Sequence, residues 1–189
     1  MYLVSFADCV FVIDPSVDPD SLEQELPSVT GILITHGHYD HIKYVEAWHE
    51  KYPETPIYMN PEDTDLISDS RANCSYMDGV FKTFSFPYES AAEILVFDDM
   101  LVEVIKTPGH TKGSVCYRFS EGGSDYLFTG DTLFAGSIGR TDFPGGSYDE
   151  ILISLRRISE LKAETNIYPG HGPGSTLGHE QKYNPFLSV

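Results

Sequence analysis

Thr35-His36-Gly37-His38-Tyr39-Asp40-His41 packs three imidazoles and a carboxylate into seven residues, directly after the apolar run Ile32-Leu33-Ile34. Neutral imidazole and carboxylate are the ligands that divalent zinc, manganese and iron accept. The alternation His36-x-His38 lets two imidazoles point the same way along an extended segment, and Asp40 and His41 follow closely enough to face a second ion. Three more short motifs each place one further donor behind a glycine: Gly109-His110-Thr111, Gly130-Asp131-Thr132 and Gly170-His171-Gly172. Five of the seven histidines and two aspartates thus offer enough ligands to hold two metal ions, one ligand being shared.

The glycines suggest a site built at strand ends. Ile32-Leu33-Ile34, Leu101-Val102-Glu103-Val104-Ile105, Tyr126-Leu127-Phe128-Thr129 and Asn166-Ile167-Tyr168 each read as a short strand stopping just before a donor, where glycine permits a sharp turn. Four strands aimed at one point would make a floor for the metals.

Read in order, THxHxDH, PGHTxGS, GDTLF and YPGHGP resemble the metallo-β-lactamase superfamily, and within it the short glyoxalase II-like thioester hydrolases. The resemblance runs from about Ile13 to Phe186. It implies an α/β chain folded as an αββα four-layer sandwich, a single domain over residues 1–189. It also implies the division of ligands. His36, His38 and His110 match the first metal's set, Asp40, His41 and His171 match the second's, and Asp131 matches the carboxylate that bridges both. Two divalent ions, zinc first with iron or manganese as alternatives, are the expected cofactors. Sandwich architecture of this kind implies two similar halves, yet no duplication is visible in the residues.

The implied chemistry is hydrolysis of a glutathione-type thioester such as S-lactoylglutathione. A water shared by two divalent ions loses its proton near neutral pH and becomes the nucleophile, with Asp40 placed to orient it. A thiolate leaves without a strong general acid, and none is evident among the motifs. Asp14, after the strand-like Val10-Phe11-Val12-Ile13, and Thr111 are candidates to hold ligand histidines from behind, although Asp14 also suits a turn before Pro15 and Thr111 a backbone cap. In the expected mouth loop Gly136-Ser137-Ile138-Gly139-Arg140-Thr141-Asp142-Phe143, Arg140 stands where the glyoxalase II enzymes carry a glutathione-binding lysine. It is the candidate substrate-binding residue, and a salt bridge to Asp142 is the competing role. Full-length glyoxalase II enzymes append a helical domain, whereas here the chain ends soon after His171, which leaves the natural thioester open.

Two other readings share these motifs. A mononuclear iron persulfide dioxygenase resembles the chain in Gly139-Arg140-Thr141-Asp142-Phe143, but such enzymes usually lack the terminal histidine motif that Tyr168-Pro169-Gly170-His171-Gly172-Pro173 keeps. A non-catalytic binding protein on the same scaffold would not need a complete ligand set. A lactamase fits less well, because the Gly130-Asp131-Thr132 carboxylate matches the hydrolase branch.

A length of 189 residues, 41% hydrophobic and 13% aromatic, suits one compact core. The net charge of −17 repels a polyanion and argues against nucleic-acid substrates. The site itself would be about +1, since two divalent ions outweigh Asp40, Asp131 and a bridging hydroxide, so a small anionic thioester is still attracted. Cys9, Cys74 and Cys116 show no metal-type spacing, no charged leader precedes Met1-Tyr2-Leu3-Val4, and no apolar run is long enough to cross a membrane, so the expected location is cytoplasmic, without membrane partners and with the oligomeric state open. Cys116, inside Ser114-Val115-Cys116-Tyr117-Arg118-Phe119, reads as a small buried hydrophobe. His49 and His179 have no motif around them and read as packing or solvated residues.

Helix signals fill the gaps. Asn60-Pro61-Glu62-Asp63 has a cap, a first-position proline and acids in the first turn, and Ser147-Tyr148-Asp149-Glu150 is a capping box leading into Ile151, Leu155 and Ile158 on one face. A further helix is expected just after His41, carrying Val45 and Trp48 inward, with Asp40 near its N-terminal dipole.

Overall fold

Strands of near-continuous apolar residues need cover on both faces, and the short strand Gly31-Ile32-Leu33 is buried at every position. The computed structural model describes residues 1–6, 9–24, 26, 28–97 and 100–187, packed as two compact units, Met1–Ala91 and Ala92–Val189.

The first unit runs β1 (Tyr2–Phe6), β2 (Cys9–Ile13), β3 (Gly31–Leu33), α1 (Tyr39–Ile42), α2 (Val45–Lys51), β4 (Ile57–Met59), α3 (Thr64–Ile67) and β5 (Glu89–Ser90). Its five strands form one sheet in chain order. The β1–β2 hairpin is antiparallel, and β2 to β5 are parallel. Val12, Ile32, Ile34, Ile42, Val45 and Trp48 are fully enclosed in its core. Trp48 keeps its indole N–H satisfied by donating to the Val17 carbonyl at 2.8 Å.

The second unit runs β6 (Ile94–Phe97), β7 (Met100–Lys106), β8 (Val115–Glu121), β9 (Ser124–Gly130), β10 (Leu133–Phe134), β11 (Ser137–Ile138), α4 (Tyr148–Ser159), β12 (Asn166–Pro169), β13 (Ser175–Thr176) and α5 (Leu177–Tyr183). The large sheet is ordered β13-β12-β9-β8-β7-β6. Strands β6 to β9 form an antiparallel meander, β12 returns parallel to β9, and β13 turns back on β12. Helix α4 lays Ile151, Leu155 and Ile158 inward, as its periodicity requires, and Leu155 and Ile158 share a core with Ile105, Cys116, Leu127 and Ile167.

The expected strands before the donors all form, as β3, β7, β9 and β12, and they divide between the two sheets. Three lie in the second unit's sheet and β3 lies in the first unit's, because β3 finds its partners in β2 and β4. The expected helix after His41 begins earlier, at Tyr39, with the extended His38 as its cap residue. It breaks at Tyr44 before α2 carries Val45 and Trp48 inward. Asp40 and His41 therefore sit inside a helical turn, with Asp40 at its positive end. The segment 136–143 is not wholly loop, since Ser137 and Ile138 pair with β10. The Asn60 and Ser147 caps form, their side chains accepting from the Glu62 and Glu150 amides at 3.3 Å. Among the described residues no helix is long and apolar enough to cross a membrane.

Candidate metal centre

In the first unit, the chain leaves β3 at Leu33, bends at Thr35 and delivers His36 and the extended His38 before α1 begins. Gly37 lies between the two histidines for a steric reason: a Cβ there would sit 2.6 Å from Ile67 Cγ2 and 2.9 Å from Leu66 Cδ2. Its amide donates to Asp63 Oδ2 at 2.9 Å, which ties the histidine segment to the turn that leads into α3. His36, His38 and His41 are buried, with ring centroids 4.9 Å apart for His36–His38 and 4.1 Å for His36–His41. Asp40 is half exposed, and its Oδ2 lies 3.7 Å from His41 Nε2.

Asp14 organises this half. It ends β2 in the left-handed region at φ 52°, a conformation aspartate tolerates better than most residues, and is almost fully buried. Its carboxylate accepts the Thr35 amide and the Thr35 hydroxyl, each at 2.7 Å, and lies 2.8 Å from His41 Nδ1. A carboxylate only accepts, so His41 carries its hydrogen on Nδ1 and presents the Nε2 lone pair. The Thr35 hydroxyl hydrogen is spent on Asp14, so the 3.0 Å contact with His36 Nδ1 makes that nitrogen the donor and again leaves Nε2 as the lone-pair atom.

In the second unit, β9 and β12 run parallel and side by side, and each stops at a donor. Gly170 N–H donates to the Gly130 carbonyl at 2.8 Å, which holds Asp131 beside His171. The third donor comes from the turn after β7. Gly109 has φ 135°, and a Cβ there would overlap the Ile151 amide nitrogen, so this turn can lie against the first turn of α4 only as glycine. The Ser147 amide donates to the Gly109 carbonyl at 2.8 Å and the Ser154 hydroxyl to the Pro108 carbonyl at 2.7 Å. Thr111 closes the same turn on Ser114, by its amide at 3.0 Å and its hydroxyl at 2.8 Å. His110 Nδ1 meets the carbonyl of Arg140 at 2.7 Å, which fixes the same tautomer a third time.

Asp131 Oδ2 lies 3.6 Å from His110 Nε2 and 3.6 Å from His171 Nε2. That is long for a hydrogen bond. Two donors held at about 2.05 Å by one tetrahedral ion lie about 3.3 Å apart, so each of these separations is close to that of two ligands on a shared ion. His110 is buried and His171 is half exposed. The donor set therefore fits divalent metal in both halves: three imidazoles with Nδ1 anchored by protein oxygen, as metal-binding histidines are, and a carboxylate oxygen equidistant from two imidazole nitrogens.

Arg140, the candidate substrate residue, makes the competing pair. Its Nε and Nη2 donate to Asp142 Oδ1 and Oδ2, each at 2.7 Å. His49 lies in α2 and His179 in α5, the latter with its ring 4.8 Å from that of Tyr183. Asp14 was legible as a partner for a histidine. The roles of Thr35 and of the Arg140 carbonyl were not.

The fold and the motifs have relatives. The structure superposes on that of BLEG-1, a B3 metallo-beta-lactamase, with TM-score 0.88 and 33% identity, over 99% of this chain and 93% of that one. It superposes on TTHA1623, solved in a di-iron-bound form, with TM-score 0.85 and 33% identity, over 98% and 93%. The hydroxyacylglutathione hydrolase GloC of Haemophilus influenzae is 32% identical over 186 residues, 94% of this chain and 86% of that protein. A family profile describing the metallo-beta-lactamase superfamily matches residues 1–171, and the chain belongs to that superfamily and has its fold.

Proposed function

We propose that the protein is a binuclear metallo-hydrolase acting on small anionic thioesters of the glutathione type. One observation carries most of this reading: a single oxygen of Asp131 stands 3.6 Å from the Nε2 atoms of both His110 and His171, as a bridging carboxylate would. His36, His38 and His110 would hold one ion and Asp40, His41 and His171 the other. When bound, such ions supply Lewis acidity and bring the pKa of a water close to neutral.

The chain's own residues do the rest. Asp40, half exposed in the first turn of α1, orients the attacking water and takes up its proton. Asp14 and Thr35 hold His41 and His36 in one tautomer, so their Nε2 atoms stay directed as donors through turnover. Water oxygen bonds to the thioester carbon as the C–S bond breaks, and the sulfur departs as thiolate, which needs no strong acid to leave. The acidic surface, at a net charge of −17, disfavours polyanionic substrates and is consistent with a small-molecule partner.

The likeness to GloC supports the thioester class, and the di-iron form of TTHA1623 makes iron as reasonable an occupant as zinc. The test is hydrolysis of S-lactoylglutathione by freshly purified protein, with glutathione-persulfide-dependent oxygen uptake measured on the same sample. Thioester cleavage without oxygen uptake is expected. Oxygen uptake with one iron per chain would move the protein to the dioxygenase class.

A further inference from the structure

The residue that fixes His110 does so with its backbone while its side chain is engaged elsewhere. Arg140 gives its carbonyl to His110 Nδ1 at 2.7 Å. Its guanidinium forms the two-pronged pair with Asp142, and Arg140 Cζ lies 3.8 Å from the centroid of the Phe143 ring. The fork holds the Asp142 carboxyl down, at about 2. One residue earlier, Gly139 N–H donates to the Thr132 carbonyl at 3.3 Å. A Cβ at Gly139 would overlap the Asp131 carbonyl oxygen and lie 3.3 Å from His110 Nδ1. The backbone at 139–140 therefore runs against the ring of one candidate ligand and the peptide of another.

The geometry points to Arg140, Asp142 and Phe143 as a positioning clamp: they set the peptide plane that directs the Arg140 carbonyl at His110, so that His110 Nε2 stays aimed beside Asp131. The clamp rests on the reading of His110 and Asp131 as metal ligands. The pair is exposed to solvent, which screens it, so its value lies in orientation rather than stability. The arrangement assigns the Arg140 side chain to the protein and not to the substrate carboxylate.

The test is metal retention, read by chelator competition on the metal-loaded protein, in Arg140→Ala, Arg140→Lys, Asp142→Ala and the exchanged pair Arg140→Asp/Asp142→Arg. Melting of each metal-free variant verifies that it is folded. Loss of a residue that orients a metal ligand costs about 10–100-fold in metal affinity, and that loss is expected for both alanine variants and in part for Arg140→Lys, with partial recovery in the exchanged pair, which restores the ion pair but not the contact with Phe143. Michaelis constants for anionic and neutral thioesters should shift together. Unchanged metal retention in the alanine variants, with KM raised for anionic thioesters alone, would overturn the clamp and make Arg140 a substrate anchor. Absence of thioesterase activity in the unaltered protein would sink the thioester reading and leave the metal readout intact.

Discussion

Asp131 can act between two imidazoles because the backbone on either side of it is committed. Gly130 accepts from Gly170, Thr132 accepts from Gly139, and the carboxylate is left to face His110 and His171. His171→Ala should weaken one ion selectively, measured as a biphasic chelator titration that loses one phase, since only that set includes His171. Equal loss of both ions would show that the two sets fill cooperatively. The seven candidate donors stand out in the sequence because side-chain chemistry is written there, as histidine and aspartate recurring in four short motifs. Arg140 was only half legible. A guanidinium announces an anion partner, but whether that partner is substrate or Asp142 depends on a loop path, and the carbonyl that holds His110 leaves no mark in the sequence at all.

The elements follow from local rules where those rules are unopposed. Ser147 caps α4 through the Glu150 amide, and its own amide is drawn to Gly109. Ser147→Ala should therefore cost about 1 kcal/mol in denaturant unfolding, the usual value of an N-cap. A cost near zero would mean the Gly109 contact alone holds that end. In β8, Cys116 has no exposed surface, and burial pushes its thiol up to about 12 against hydrogen bonds from Thr107 and Thr132 that lower it. A raised thiol pKa favours the protonated folded state, so this contribution is full below pH 9 and is lost as pH rises from there through about 12. Native protein at pH 8 should leave Cys116 unalkylated until denaturant is added, and rapid native labelling there would contradict the packing. The start of α1 was misplaced because its two signals conflict. The HxHxDH spacing reads as extended, while Asp40 in a first turn reads as helix, and the chain satisfies both by changing conformation at His38.

At the scale of the molecule, 29 acidic residues against 12 basic ones leave a surface that repels itself. Added salt screens this repulsion, so the melting temperature should rise between about 10 and 150 mM ionic strength. A fall would show that attractive surface pairs such as Lys51–Asp20 and Lys82–Glu46 outweigh it. The superfamily was legible from the four motifs together, and the strand list followed from their flanks. The distribution of strands between two sheets was not, because short apolar segments carry no record of which neighbour they pair with.

The central claim is that these donors hold two ions through one shared carboxylate. Elemental analysis of freshly purified protein, beside its Asp131→Ala variant, tests it most directly. A two-metal site with a common ligand predicts about two ions per chain, falling well below one in the variant. A single ion per chain, or a content unchanged by Asp131→Ala, would contradict it.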